Sequence, residues 1–197
     1  MRIAMRIVGG KHRGRRLQAP EDRAIRPTGD RAREAIFNLL TQGRAVAETG
    51  FALKGAQVLD AFCGTGALGL EALSRGAAGA CFLDDDAEAL ALARRNAEAM
   101  AEARAARFIR ADATRPPAPP RAHGLVLLDP PYGKALAGRA LVALAAAGWL
   151  ESGAVAVLEL AAGEGLDPPI GFAPIDERRY GAARIAILRF DPPDEAA

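Results

Sequence analysis

Aromatic residues make up only 5% of the 197-residue chain, and cysteine and histidine occur twice each. Cys63 and Cys81 are too few and too far apart for a zinc knuckle or a redox pair. Each follows an apolar or aromatic neighbour, so two buried free thiols are expected. His12 and His123 lack metal-ligand spacing, and no metal site is expected. No run of about 20 apolar residues occurs, the alanine-rich 135–150 stretch being broken by Gly138 and Arg139. No apolar segment follows Arg2 and Arg6 to make a secretory signal. A cytoplasmic protein without a membrane span is the expectation. Half of the residues are hydrophobic, many of them alanine. That is enough for a full core in one domain, built by close helix-on-sheet packing.

Charge is unevenly spread. Residues 1–33 hold ten Lys or Arg and three acids, out of 26 and 24 in the whole chain, so the basic excess sits at the front and the rest is net acidic. Such polarity suggests a basic arm that meets a polyanion, although a merely solvated tail has the same composition. Lys11, Arg13, Arg15, Arg16, Arg26 and Arg31 are the candidate contacts. Gly9 to Arg16 reads as a basic hairpin or loop. Thr28 or Asp30 can cap a helix to about Leu40, with Ile36, Leu39 and Leu40 inward. Residues 41–54 read as a linker.

From residue 55 short apolar runs alternate with helical patterns. Strands are expected at 56–60, 80–84, 107–110, 125–128 and 153–160, and helices at 66–75, 86–103 and 135–147. Two closing runs, 170–178 and 183–190, should pair as a hairpin. The pattern predicts a doubly wound, Rossmann-like α/β fold: a mostly parallel sheet with helices on both faces, a closing antiparallel hairpin and a basic N-terminal extension. The expected division is an arm and helix over 1–50, a body over 51–190 and a tail over 191–197.

Gly64-Thr65-Gly66-Ala67-Leu68-Gly69 follows the first strand of the body and opens a helix. Dinucleotide enzymes, S-adenosylmethionine (SAM) enzymes and plain turns all produce this pattern. Asp60 separates them: an anion there repels a pyrophosphate but suits the ammonium of a methionine moiety. Asp60, Phe62, Gly64, Thr65 and Gly66 are therefore candidate contacts to SAM. Asp84, ending the second strand, can accept from ribose hydroxyls, and Asp85 or Asp86 can instead cap the next helix. Asp112 can accept from an adenine amino group, with Ala113 lining the base, or serve only as a turn residue.

Asp-Pro-Pro occurs at 129–131, 167–169 and 191–193. Only the first both follows an apolar strand and precedes an aromatic, Tyr132. Asp129 and the Pro130 carbonyl can each accept a hydrogen bond from an sp² amino group, Pro130 and Pro131 stiffen the turn, and Tyr132 offers a stacking ring. That chemistry fits methylation of an exocyclic amine of a nucleic-acid base turned out of its stack. A rigid turn with a packed tyrosine is the plainer alternative.

With both motifs in place, the chain resembles the bacterial small-subunit ribosomal RNA guanine-N2 methyltransferases, of the 16S rRNA (guanine(966)-N(2))-methyltransferase type. The resemblance runs from Met5 to about Phe190. It rests on Met5–Lys11, Gly14–Leu17, Arg26-Pro27-Thr28, Arg33–Asn38, the glycine loop extended to Gly76, Asn96, the Asp129–Tyr132 turn and Gly148-Trp149-Leu150. It implies a seven-stranded methyltransferase sheet, SAM as cofactor and guanine N2 of small-subunit rRNA as target, free or in an assembled or assembling 30S particle. Asp60, Gly64 and Gly66 fall on the cofactor loop, Asp112 on the adenine contact and Asp129–Tyr132 on the catalytic turn. Asp84 stands where glutamate is common, and Cys63 where alanine is common. The alternatives are a DNA amino-methyltransferase acting on adenine N6 or cytosine N4, which usually carries a recognition insert absent here, and a non-catalytic SAM- or RNA-binding module. Nothing demands a dimer, and a monomer is expected.

Overall fold

A computed structural model describes residues 5–19, 29–131 and 136–193. Arg26, Thr28 and Tyr132, all singled out above, lie outside the described residues, as do residues 1–4.

The chain enters as a hairpin. Ile7 N–H donates to the Arg15 carbonyl (2.9 Å) and Leu17 N–H to that of Met5 (2.9 Å), around a 3₁₀ turn at Gly10–His12. Helices α1 (Asp30–Gln42) and α2 (Arg44–Thr49) follow. The sheet then alternates with helices as β1 (Gln57–Ala61), α3 (Ala67–Ser74), β2 (Gly79–Asp84), α4 (Ala87–Ala99), β3 (Ala106–Arg110), β4 (His123–Leu128), α5 (Leu136–Ala146) and β5 (Leu150–Ala161). It closes with the hairpin β6 (Phe172–Tyr180) and β7 (Ala183–Phe190). Strand order is β3-β2-β1-β4-β5-β7-β6, with β7 antiparallel to both neighbours. The doubly wound, mostly parallel sheet is as the sequence predicts.

Alternation along each strand builds two cores. Val58, Phe82, Leu125 and Leu127 face the hairpin, α1, α3 and α4, whereas Leu59, Leu83, Val126 and Leu128 face α5 and Trp149. Parallel strands covered on both faces carry apolar residues at nearly every position, because neither side meets water. Cys63 and Cys81 are buried free thiols. Among the described residues no helix is long and apolar enough to cross a membrane.

Three local expectations need correction. Residues 41–54 hold α2 and the buried Leu53 rather than a bare linker. Gly29, not Asp30, is the N-cap of α1; Asp30 lies in the first turn, where it accepts from Arg33 (2.8 Å). And α4 stops at Ala99, four residues early. There Ala101 adopts φ +59°, so that Glu102 N–H reaches the Ala97 carbonyl (2.9 Å) and Ala101 N–H that of Glu98 (2.9 Å). The same closure ends α3 through Gly76, at φ +103°, where glycine adopts the left-handed conformation without steric cost.

Candidate functional site

The four parallel strands β3, β2, β1 and β4 end in one line, with Ala61 opposite Leu83 on one side and Leu128 on the other. Carboxyl strand ends of this kind are where open α/β sheets bind ligands. The register therefore brings together the segment after β1, Asp84 at the end of β2 and Asp129 directly after β4.

Asp60 is buried beneath the glycine turn, and its Oδ2 accepts from Gly69 N–H (2.8 Å). Burial pushes its carboxyl well above the ordinary range; the Gly69 hydrogen bond opposes this, and the nearby charges of Asp129 and Asp84 add to it. Asp84 is raised by burial against hydrogen bonds from Gly64 N–H (2.9 Å) and Asp86 N–H (3.0 Å). Three carboxylates thus crowd one strand edge, close enough to raise the cost of ionising Asp60. A ligand carrying an ammonium and a sulfonium relieves that repulsion, as SAM does. Asp86 caps α4 by accepting from Glu88 N–H (2.8 Å), and Asp85 is exposed. Asp84 alone of the three is tied to the glycine turn.

The turn itself is strained at one place. Phe62 adopts φ +60°, a conformation costing a β-carbon-bearing residue about 1–2 kcal/mol. The glycines divide their labour. A Cβ on Gly69 would stand 2.5 Å from the Phe82 ring, and one on Gly66 would stand 3.1 Å from Ala93 Cβ, so these two allow the helix to pack on the sheet. A Cβ on Gly64 would meet nothing within 4 Å. It would project into open space, and Gly64 N–H donates to the Asp84 carboxylate, so the turn keeps an open side beside an anion, which fits SAM. Thr65 is buried, its hydroxyl donating to Met5 Sδ (3.3 Å).

Asp129 is half-buried, Pro130 buried and Pro131 exposed. Asp112 is exposed, and its Oδ1 accepts from both the N–H and the hydroxyl of Thr114 (2.7 Å each); those bonds hold its carboxyl below the usual range. It makes no hydrogen bond to Asp60, Asp84 or the glycine turn. Ala113 is buried against the α5 side. Among the described residues no group of His, Cys, Asp and Glu could hold a metal ion.

On the arm, Arg13, Arg15, Arg16 and Arg31 are exposed, and Lys11 pairs with Glu102 (2.6 Å). The arm is latched to the body by polar residues on inner helix faces to which no motif above gives a functional role. Val8 N–H donates to Glu71 (2.8 Å), and Ser74 donates to the Gly9 carbonyl (2.6 Å) while accepting from His12 N–H (3.0 Å). Asn96 accepts from Gln18 N–H (2.8 Å) and donates to the carbonyls of Gln18 (3.1 Å) and Thr65 (3.0 Å). The signal that could have found them is a polar residue in register with buried apolar ones, such as Asn96 beside Leu92, Ala93 and Ala97.

The family model described as "Conserved hypothetical protein 95" matches residues 5–189. "Ribosomal RNA small subunit methyltransferase D" of Escherichia coli K12 is 37% identical, the match covering 82% of this chain and 77% of that one. The protein of that name from Haemophilus influenzae is 30% identical over 90% and 89% of the two chains. Among solved structures, the yhhF protein of Escherichia coli superposes with a TM-score of 0.78 at 33% identity, covering 95% of this chain and 98% of its own. Magnesium protoporphyrin IX methyltransferase of Synechocystis, solved with bound SAM, shares the fold at 18% identity and a TM-score of 0.58, over 81% and 79% of the chains.

Proposed function

This chain belongs to the family described as conserved hypothetical protein 95, and from that premise we propose that it transfers a methyl group from SAM to the exocyclic N2 of a guanine in small-subunit ribosomal RNA, in the cytoplasm and as a monomer. It has the fold of SAM-dependent methyltransferases, and its relatives are rRNA methyltransferases.

The observation that carries the reading is the meeting of Asp60, Asp84 and Asp129 at one strand edge. In this assignment Asp60, Phe62, Gly64, Thr65 and Gly66 hold the methionine end of the cofactor, and Asp84 its ribose. Asp112 and Ala113 border its adenine. When bound, SAM supplies a methyl group on a cationic sulfur, ready for displacement. Asp129 and the Pro130 carbonyl accept the two amino hydrogens of the base, which directs the nitrogen lone pair outward. Pro131 stiffens the turn, and Tyr132 stacks on the base. Holding two reactants in line replaces a bimolecular encounter by a positioned one, so orientation supplies most of the acceleration. Residues 1–50, with Lys11, Arg13, Arg15, Arg16, Arg26 and Arg31, meet the RNA; 51–190 carry the cofactor, and 191–197 are a tail.

Mass spectrometry of rRNA nucleosides from cells with and without the gene tests the assignment. Loss of N2-methylguanosine from small-subunit rRNA is expected; an unchanged nucleoside profile would overturn it. Purified enzyme offered protein-free rRNA and 30S particles side by side decides which form is the substrate.

A further inference from the structure

The opposite edge of the sheet has a cleft of its own. Its volume is about 370 Å³, and its lining includes Gln57, Gly79, Arg104, Arg107, Arg121 and His123. Gln57, Gly79 and His123 are the first residues of β1, β2 and β4, so the cleft opens at the amino edge. Strands of five or six residues separate it from the carboxyl edge, a distance of about 15–20 Å.

No acid lines this cleft. Arg104, Arg107 and Arg121 are exposed and form no ion pair with a described residue. Burial and the neighbouring Arg121 hold the His123 imidazole below its usual range, and burial pushes the Cys81 thiol up to about 12. The charge of the cleft near neutral pH is therefore that of three guanidinium groups, whose planar forks match phosphate oxygens.

Two relationships say what kind of anion fits. Arg107 lies on β3 and Arg121 just before β4, and the order β3-β2-β1-β4 puts three strand spacings between them, about 14 Å. A run of phosphodiesters matches that spacing of the backbone positions, and the test below separates it from a single orthophosphate on which long arginine side chains converge. The basic arm reaches the same edge. Glu102, two residues before Arg104, holds both Lys11 (2.6 Å) and His12 (2.7 Å), which brings the tip of the arm to this edge.

We propose that the amino-edge cleft is a second RNA contact, in which Arg104, Arg107 and Arg121 grip the phosphodiester backbone on the side of the sheet away from the methyl-transfer centre. This rests on the reading of the chain as an RNA methyltransferase. The reach of the contact makes RNA beyond the target guanine part of what the enzyme holds.

The test compares the full chain with the Arg104→Gln/Arg107→Gln/Arg121→Gln variant in binding a small-subunit rRNA fragment across a salt series. The expected result is a Kd raised about tenfold or more near 0.15 M salt, with the slope of log K against log salt shallower by about two. SAM affinity and Tm should match those of the parent, and the Arg→Lys triple variant should restore most of the slope. Unchanged RNA affinity and slope, in a parent that does bind the fragment, would overturn the proposal. So would a Tm rise with inorganic phosphate that the Gln variant loses while still binding RNA normally, since that assigns the cleft to a free anion. A parent that binds no rRNA at all would instead remove the RNA reading itself, and this inference with it.

Discussion

Asn96 joins the glycine turn to the N-terminal arm: its side-chain amide donates to the Thr65 carbonyl (3.0 Å) and, on the arm, to that of Gln18 (3.1 Å). It is 1% exposed, so water cannot replace what it provides. Asn96→Ala leaves the buried Thr65 carbonyl without its partner, at about 1–3 kcal/mol, and frees the exposed Gln18 backbone from the body. A fall in Tm of about 5 °C is expected, with weaker SAM binding because the turn loses its brace. A variant melting like the parent would show that the amide braces nothing.

Asp60 predicts a trade between stability and cofactor binding. Asn at this position keeps an oxygen for Gly69 N–H and removes a buried charge. Without SAM, Asp60→Asn should melt a few degrees higher at neutral pH, while its SAM Kd rises about tenfold or more. The folded value of this carboxyl lies above that of the unfolded chain. Its cost is therefore absent in acid, sets in as pH rises through the unfolded range, and is complete above the folded value. The Tm gap between variant and parent must close on acidification. A gap that widened in acid would contradict the burial argument.

The glycines separate folding from binding. Gly69→Ala forces a Cβ to 2.5 Å from the Phe82 ring, and overpacking of about 1–3 kcal/mol should lower Tm by several degrees. Gly64→Ala meets no protein atom, but its φ of +52° carries the same backbone strain as Phe62, about 1–2 kcal/mol. Both variants should lower Tm by a few degrees, but only Gly64→Ala should also cost SAM affinity. Calorimetry of both variants, with and without cofactor, distinguishes the two roles.

For Asp129→Ala we expect methyl transfer to fall at least about a hundredfold, with SAM affinity within a few-fold of the parent. Tritium transfer to rRNA reads the first and equilibrium dialysis the second. Full transfer activity would remove Asp129 from the chemistry.

Neutralising Arg13, Arg15 and Arg16 together should weaken rRNA binding and reduce its salt slope by about two to three. A slope equal to that of the parent would exclude the arm as an RNA contact.

The parallel strands, the paired closing strands and Gly76 as a helix stop were legible because each has a local cause: apolar runs, spacing and a residue suited to positive φ. The end of α4 was not, since Ala101 takes the left-handed conformation without the glycine that announces it. Strand direction came from the alternation of strands and helices, not from the motif itself. Asp191-Pro192-Pro193 also follows an apolar strand, but β7 runs antiparallel and delivers it to the amino edge. Asp129 reaches the carboxyl edge only because β4 is parallel to β1, which three residues of motif cannot encode. Asp60 and Asp84 were legible as candidates. Their mutual repulsion, and the hold of Asn96 on the turn, depend on contacts between distant segments.

The position of β7 between β5 and β6 bears on how the molecule is made. A ribosome delivers β6 before β7, yet the place of β6 lies beyond a strand not yet synthesised. The growing chain therefore carries β5 with a bare flank, and β6 beside it with nothing to join. Both wait for β7, which arrives as the second arm of a hairpin turned at Gly181 (φ +61°) and docks with β6 as a pair. Until then the edge of β5 presents unpaired backbone N–H and C=O groups, a template on which another chain can pair.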